Sequence, residues 1–336
     1  MLRKFQNFFN GPSRPAMPID TRRGPEPAPT GPDRSQFGND TDVPIAWRRE
    51  WEEKGYLVLP GMFSKEALEQ HREIVAGARR DLPDGKDEYG HGDRVGQLHQ
   101  KHRELMALAA EPRVLGFLRW AFNDDPLLFG SLNFDRGSQQ ELHIDAIFFY
   151  TEPAYAMAGL WVALEDVQPD AGPLFYVPGS HRWPFFRGED VLATDAALAA
   201  EAAVVSTHGS QDKRSQLVSR LGQQWTKLTL DMEREKRAER LPAVLKAGDA
   251  VIWHSLLAHG GSPRANPALS RKSVVYHYIG ENARLYTFDE FFLKTSAELF
   301  KQPGQANSRT TWKNLRYINY DYFVTYDEGQ EKLHRL

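Results

Sequence analysis

The pattern of apolar and polar positions predicts helices at the start of the folded region and strands in its centre. Helices are expected at 46–54, 64–80 and 98–122, and a strand at 55–63 that ends at Pro60-Gly61. From residue 127 onward, short apolar runs alternate with turn residues. Strands are therefore predicted at 127–134, 142–150, 159–164, 174–177, 250–254 and 273–279, followed by a Tyr-rich, β-prone segment at 312–326.

The central strands are separated by turns rather than by helices, which favours antiparallel pairing. The fold class that this order predicts is mainly β with flanking helices, built as an antiparallel jelly roll or barrel. Residues 186–245 interrupt the strands with Ala-rich and charged stretches of helical type, and a further helix is expected at 288–301. We interpret 186–245 as a helical insertion within one domain that spans 46–336.

The first 45 residues differ in composition from the rest of the chain. Residues 10–45 contain eight of the 21 prolines, together with Gly, Ser, Asp and Arg. A segment of this composition cannot bury a core, so residues 1–45 are predicted to form a disordered, Pro-rich tail.

The composition also limits the function. The chain of 336 residues is 41% hydrophobic, which is enough to form a substantial core. Its formal net charge of −3 indicates no nucleic-acid partner. It lacks both a signal-peptide pattern and an apolar run of about 18 residues, which predicts a cytoplasmic protein without a membrane span. Because there is no cysteine, disulfides and thiolate ligands are excluded, and any metal must be held mainly by His, Asp and Glu.

One His-x-Asp pair stands out among the eleven histidines. His143-Ile144-Asp145 precedes the strongest apolar run of the chain, and residues i and i+2 of a strand point to the same side. We therefore expect His143 and Asp145 to face one pocket. A second pair, His91-Gly92-Asp93, lies in a polar, Gly-containing stretch and is interpreted as a solvated loop.

Two histidines compete to be the third ligand. His254 ends an apolar strand, where a hydrogen-bonded core histidine is equally reasonable. His259 precedes the turn Gly260-Gly261, where a ligand can approach, and is the favoured candidate. Two histidines and one carboxylate leave three adjacent coordination positions open, as in the non-heme Fe(II) oxygenases.

A possible anion-binding pair follows His259. On a strand, Arg271 and Ser273 share a face. A buried arginine needs an anionic partner, and a carboxylate of 2-oxoglutarate fits a guanidinium fork, with a hydroxyl adding a hydrogen bond. The alternative is an exposed arginine in a salt bridge.

Taken together, these segments resemble the phytanoyl-CoA dioxygenase family of Fe(II)/2-oxoglutarate-dependent oxygenases. The order and rough spacing match over 46–280. The resemblance is carried by Gly55-Tyr56-Leu57-Val58-Leu59-Pro60-Gly61, the pair His143-Ile144-Asp145, Gly159-Leu160-Trp161-Val162-Ala163-Leu164-Glu165-Asp166, Gly172-Pro173-Leu174 with Pro178-Gly179-Ser180-His181, and Gly248-Asp249 through His259 to Arg271.

The resemblance implies a double-stranded β-helix of the cupin-like type. It implies Fe(II) bound by His143, Asp145 and His259, and 2-oxoglutarate held by Arg271 with Ser273. Trp161 would form a wall of the cofactor pocket. The implied enzyme is a dioxygenase that uses O₂ and 2-oxoglutarate to hydroxylate a small-molecule substrate, releasing succinate and CO₂.

Relatives that chlorinate replace the carboxylate ligand with a small residue, so the presence of Asp145 implies hydroxylation. The segment from His259 to Arg271 is about one residue longer than is usual in the family. Two other interpretations remain at this point. One is a cupin-like metal enzyme that does not use 2-oxoglutarate, and the other is a non-enzymatic binding scaffold.

Overall fold

The structure, a computed structural model, describes residues 30–32, 42–80, 94–208, 211–286, 291–292, 308–319, 322–327 and 330–335. The helices are α1 (Ile45–Lys54), α2 (Lys65–Arg80), α3 (Pro112–Phe122), α4 (Gly188–Ala193), α5 (Ala196–His208) and α6 (Gln211–Lys236). The strands are β1 (Tyr56–Leu59), β2 (Arg94–Gly96), β3 (Pro126–Phe134), β4 (Tyr150–Glu152), β5 (Met157–Ala163), β6 (Leu174–Tyr176), β7 (Leu241–Pro242), β8 (Ala250–His254), β9 (His259–Gly261), β10 (Ser273–Gly280), β11 (Arg284–Tyr286), β12 (Ser308–Trp312), β13 (Leu315–Asn319), β14 (Tyr322–Asp327) and β15 (Gln330–Arg335).

A large, mostly antiparallel sheet forms one wall of the molecule. Its strands follow the order β1-β8-β5-β10-β3-β2-β14-β15, with β13 pairing parallel to β3 and β12 pairing with β13. A small sheet has the order β7-β6-β9, and β11 pairs with β4. Strands far apart in sequence are neighbours in the large sheet, as expected of a jelly roll rather than of a chain of simple hairpins.

The two faces of β10 contact different parts of the protein interior. Val274, Tyr276 and Tyr278 point to one side and pack in a core with α3. The Tyr278 hydroxyl donates to the carbonyl of Ala109 at 2.8 Å. On the other side, Val275 and His277 line a cavity. Because side chains alternate along a strand, one strand closes the helix-covered core and also forms a wall of the cavity.

Several predicted elements are confirmed. The helices at 46–54 and 64–80 match α1 and α2, and the strands at 127–134, 159–164, 174–177, 250–254 and 273–279 match β3, β5, β6, β8 and β10. The predicted helix at 288–301 falls almost wholly outside the described residues, and so does most of the predicted tail.

The predicted helix at 98–122 is wrong in its first half. Leu98–Gln100 and Arg103–Ala107 form two short 3₁₀ turns, and α3 begins only at Pro112. Proline lacks an amide hydrogen and fits the first helical position, while it disfavours helical geometry in the residue before it. The carboxylate of Glu111 accepts the Arg113 amide hydrogen at 3.4 Å and caps the new helix.

The predicted strand at 142–150 is also wrong. Asp145–Ile147 is a 3₁₀ turn, and extended structure resumes only in β4. The amides of Phe148 and Phe149 both donate to the carbonyl of Asp145 at 2.9 Å. A short, continuous apolar run does not by itself distinguish a strand from another buried conformation, and here the run is buried as a turn.

The segment 186–245 contains α4, α5 and α6. Trp225 of α6 is buried, and its indole N–H donates to the carbonyl of Phe186 at 3.0 Å.

The folded region includes residues before α1. Val43 is buried, and its carbonyl accepts from Nε of Arg48 at 3.0 Å. Among the described residues, no helix has the length and apolar character needed to cross a bilayer.

Candidate metal centre

His143 and His259 face each other across a two-residue β-bridge at the edge of the small sheet. The His143 amide donates to the His259 carbonyl, and the His259 amide donates to the His143 carbonyl, both at 2.9 Å. The two imidazole ring centroids lie 4.3 Å apart. Backbone pairing therefore brings together two histidines that are distant in sequence.

Both imidazoles have the tautomer that a metal ligand needs. Nδ1 of His143 lies 2.7 Å from the carbonyl oxygen of Glu141, and Nδ1 of His259 lies 2.9 Å from that of Leu257. A carbonyl oxygen only accepts, so Nδ1 carries the hydrogen in each ring. The Nε2 lone pair of each histidine is then available to a cation, and the backbone contact fixes the orientation of the ring.

Asp145 completes the group. Oδ1 of Asp145 lies 3.9 Å from Nε2 of His143 and 3.6 Å from Nε2 of His259. All three candidate ligand atoms lie within 4.8 Å of one another, and all three residues are buried. Metal–ligand bonds of about 2.0–2.2 Å place neighbouring ligand atoms roughly 3–4 Å apart, so a single ion fits after small adjustments.

The other carboxylate oxygen of Asp145 already has a partner. The indole N–H of Trp253 donates to Oδ2 of Asp145 at 2.7 Å. Nε2 of His277 lies 3.9 Å from the same oxygen. Oδ1 is therefore the oxygen of Asp145 that faces the two candidate imidazole ligands.

The charge states of these residues suit metal binding. Burial, and to a smaller extent the nearby His259, lower the pKa of His143 to about 3. Burial would raise the pKa of Asp145, but His259, His277 and His143 outweigh it and lower the pKa. At neutral pH the pair therefore offers an uncharged imidazole and a carboxylate, the protonation states that a cation requires.

The structure brings His143 and Asp145 together as the sequence argument expected, but not on a strand. No strand runs through 142–150, but Ile144 is extended, with φ −118° and ψ 147°. One extended residue between them is enough to point both side chains into the same cavity. The pair His91-Gly92-Asp93 lies outside the described residues.

The structure brings His259, rather than His254, to this group. His254 is completely buried, and its Nδ1 accepts the Leu256 amide hydrogen at 3.0 Å. Its ring packs 5.4 Å from that of Trp51 and 5.6 Å from that of His181. His254 is therefore a hydrogen-bonded core histidine.

The three residues open into a cavity between the sheets. Arg271 and Trp161 line the same cavity. The guanidinium carbon of Arg271 lies 5.6 Å from the ring centroid of Phe134 and 5.7 Å from that of Trp161. Arg271 is only 2% exposed, and its burial, with Arg264 nearby, lowers its pKa to about 10. Arg271 thus remains a cation at neutral pH.

Ser273 lines a neighbouring cavity that is bounded in part by α2. It lies directly opposite Phe134 in the register of β10 and β3, and Phe134 lines both cavities. The structure therefore places Arg271 and Trp161 in the lining of the metal cavity and Ser273 next to that lining, beside Phe134.

Buried polar atoms test whether these residues fit a carboxylate co-substrate. Nε of Arg271, Oγ of Ser273 and Nε1 of Trp161 are all buried and have no hydrogen-bond partner among the described residues. A buried donor without a partner is costly, and a bound anion would supply acceptors for such donors. The three polar residues proposed from the sequence to hold 2-oxoglutarate thus fit that role chemically.

Three cavity residues were missed by the sequence argument. His277, Trp253 and Arg94 line the metal cavity and are buried. His277 packs against Phe129 and Phe149, with centroid distances of 5.9 and 5.4 Å. Strand alternation from Arg271 through Ser273 and Val275 could have placed His277 on the cavity face. No comparable signal identified Trp253 or Arg94.

A jelly roll whose centre presents two imidazoles and one carboxylate to a cavity is the arrangement of the 2-oxoglutarate-dependent non-heme iron oxygenases. The sequence model of the family described as "Phytanoyl-CoA dioxygenase (PhyH)" matches residues 51–273. The chain belongs to the phytanoyl-CoA dioxygenase family. The predicted family and enzyme class are thereby confirmed.

Known relatives agree with this assignment. Phytanoyl-CoA dioxygenase, peroxisomal, of Rattus norvegicus is 24% identical over 275 residues, which cover 75% of this chain and 73% of the relative. Phytanoyl-CoA dioxygenase domain-containing protein 1 of Danio rerio is 23% identical over 278 residues, covering 79% of this chain and 81% of the relative.

A solved structure shows the same fold. EctD from S. alaskensis, crystallised with 2-oxoglutarate and 5-hydroxyectoine, superposes with a TM-score of 0.54 at 18% sequence identity. The match covers 86% of this chain and 97% of EctD. The predicted double-stranded β-helix is thus confirmed.

Proposed function

We propose that this protein hydroxylates a small-molecule substrate, with Fe(II) held by His143, Asp145 and His259 and 2-oxoglutarate held by Arg271. The observation that carries the proposal is the convergence of two Nε2 atoms and one carboxylate oxygen in the cavity that Arg271 lines. Three protein ligands leave room on the iron for a chelating co-substrate and O₂.

Arg271 would bind the distal carboxylate of 2-oxoglutarate. Its guanidinium is a buried cation, and a planar fork of donors matches a carboxylate. Trp161 lies beside this group, and its indole N–H, which has no partner among the described residues, is offered to the same ligand. Ser273 would add a hydrogen bond, as the family resemblance implies, because its buried hydroxyl also lacks a partner in the described part of the chain.

When bound, iron and 2-oxoglutarate supply an O₂-dependent oxidation that forms succinate and CO₂. The protein contributes orientation and exclusion of water. The backbone carbonyls of Glu141 and Leu257 hold the two imidazoles, and Phe148 and Phe149 supply an apolar wall beside them. Hydroxylation rather than chlorination is favoured because Asp145 occupies the ligand position that a halide would need.

The domain organisation and location are part of the proposal. Residues 46–336 would form one oxygenase domain with the insertion at 186–245, and 1–45 would be dispensable for catalysis. Val43 and its contact with Arg48 indicate that the folded region begins slightly earlier than Ala46. The near-balanced charge supports the absence of a nucleic-acid partner, and a small-molecule substrate and a cytoplasmic location are further parts of the proposal.

The proposal is tested by screening candidate metabolites without oxygen, in the presence of Fe(II) and 2-oxoglutarate, and measuring succinate after O₂ is added. A substrate should raise succinate formation and gain one oxygen atom per succinate. An oxidised product without succinate would favour a cupin-like enzyme that does not use 2-oxoglutarate. Binding of a metabolite without any turnover would favour a scaffold.

A further inference from the structure

Trp253 contacts two of the three candidate metal ligands. Its indole N–H donates to Oδ2 of Asp145 at 2.7 Å, and its ring packs against the His259 ring with centroids 4.8 Å apart. Trp253 is 3% exposed and lines the metal cavity. A buried, charge-assisted hydrogen bond of this length fixes the carboxylate strongly.

The hydrogen bond also separates the functions of the two carboxylate oxygens. Oδ2 is engaged by Trp253, whereas Oδ1 lies 3.6 Å from Nε2 of His259 and 3.9 Å from Nε2 of His143. A carboxylate free to rotate could place both oxygens on one cation. With Oδ2 engaged, only Oδ1 faces the metal position.

A glycine on the neighbouring strand makes room for this arrangement. Gly159 of β5 lies directly opposite Trp253 of β8 in the sheet register. A Cβ at residue 159 would lie 2.5 Å from Cε2 and 2.7 Å from Nε1 of the indole, which is closer than packed atoms approach. Any side chain at 159 would therefore displace the indole from Asp145.

We propose that Trp253 is a positioning residue that holds Asp145 in single-oxygen ligation of the metal, with Gly159 providing the space for its indole. The inference rests on the proposed function, because it takes Asp145 as a metal ligand. Groups that orient metal ligands typically change metal affinity or activity by about 10–100-fold when they are removed.

The first test is Trp253→Phe, which keeps an aromatic ring against His259 and removes the N–H. Calorimetric titration with Mn²⁺ should give a dissociation constant about 10–100-fold higher than that of the unchanged protein. At saturating metal, the 2-oxoglutarate requirement should stay near that of the unchanged protein, because Arg271 is intact. The matched control is Trp225→Phe, which likewise removes a buried indole hydrogen bond, here to the carbonyl of Phe186 rather than to a candidate ligand. It should lower thermal stability and leave Mn²⁺ affinity unchanged.

The second test keeps the indole of Trp253 but displaces it from Asp145. Gly159→Ala should also weaken Mn²⁺ binding, whereas Gly116→Ala, where no atom lies within 4 Å of the new Cβ, should not. Mn²⁺ affinity of Trp253→Phe within about threefold of the unchanged protein would overturn the inference, since typical losses are larger. An unchanged protein that binds no Mn²⁺ would instead overturn the proposed function.

Discussion

His143 and His259 form a mutually hydrogen-bonded backbone pair, and each directs its Nδ1–H to a carbonyl two residues earlier in the chain. The same local geometry is thus used twice, once in the segment before the 3₁₀ turn and once in β9. It fixes both rings with Nε2 free. Metal binding at this centre consequently needs no rearrangement of the histidine backbone.

Replacement of the two competing histidines should separate metal binding from stability. His259→Ala should abolish Mn²⁺ binding and turnover, because it removes one of three ligands. His254→Ala should cost about 1–3 kcal/mol of unfolding free energy, because it leaves the buried Leu256 amide without its acceptor. It should still bind metal. Titration of both variants and urea unfolding check this, and the reverse pattern would show that His254 is the ligand.

Replacement of Arg271 should affect the co-substrate rather than the metal. A charge-assisted hydrogen bond contributes about 1.5–3 kcal/mol, so Arg271→Ala should raise the 2-oxoglutarate requirement by roughly 10–100-fold. Arg271→Lys keeps the charge but loses the planar fork of donors. Its 2-oxoglutarate requirement should therefore lie between those of the unchanged protein and of Arg271→Ala. Calorimetric titration of the metal-loaded protein with 2-oxoglutarate measures this directly. An unaltered requirement in the alanine variant would remove Arg271 from the co-substrate site.

Deletion of 1–45 should leave iron and 2-oxoglutarate binding intact. It should lower stability by about 1–3 kcal/mol relative to deletion of 1–41, because only the longer deletion removes the buried Val43. Urea unfolding compares the two proteins, and calorimetry measures their ligand binding. Loss of either ligand in a folded truncated protein would contradict the proposed dispensability of this segment.

The reaction should be hydroxylation in the presence of chloride. Asp145 supplies the carboxylate ligand, so a competent substrate should gain one oxygen atom from O₂ for each succinate formed. Mass spectrometry under labelled oxygen gas in chloride buffer measures both. A chlorinated product would refute the role given to Asp145.

Stability should fall in mild acid because of buried neutral histidines. Burial lowers the pKa of His254 to about 3, against about 6.5 in an unfolded chain. Between these values the unfolded chain binds a proton that the folded protein does not, so the unfolding free energy declines as pH falls below about 6.5, by up to about 1.4 kcal/mol per pH unit.

The variant His254→Asn retains an acceptor for the Leu256 amide hydrogen but does not titrate. Its unfolding free energy should decline less steeply between about pH 6.5 and pH 5 than that of the unchanged protein. Urea unfolding across this interval provides the comparison. Identical slopes would show that His254 does not contribute to the acid sensitivity.

The sequence predicted the central strands better than the segments between them. Short apolar runs located β5, β8 and β10, because these strands are buried along their whole length. It failed at Asp145–Ile147, where local apolar residues are buried in a turn. It also failed before Pro112, where two 3₁₀ turns replace a helix.

Contacts across the sheets were beyond local patterns. The bond from Trp253 to Asp145 joins residues 108 positions apart, and no spacing rule connects them. Such relationships depend on register between strands, which a single sequence does not specify.

Phe134 contacts two buried arginines at once. It lines both cavities, and the guanidinium groups of Arg271 and Arg94 lie 5.6 and 5.9 Å from its ring centroid. Contacts of a cation with an aromatic ring are attractive, so one ring helps to fix the positions of two cationic side chains in the lining of the metal cavity. Replacing Phe134 with a non-aromatic residue would therefore loosen Arg94 together with the side chain proposed to hold the co-substrate.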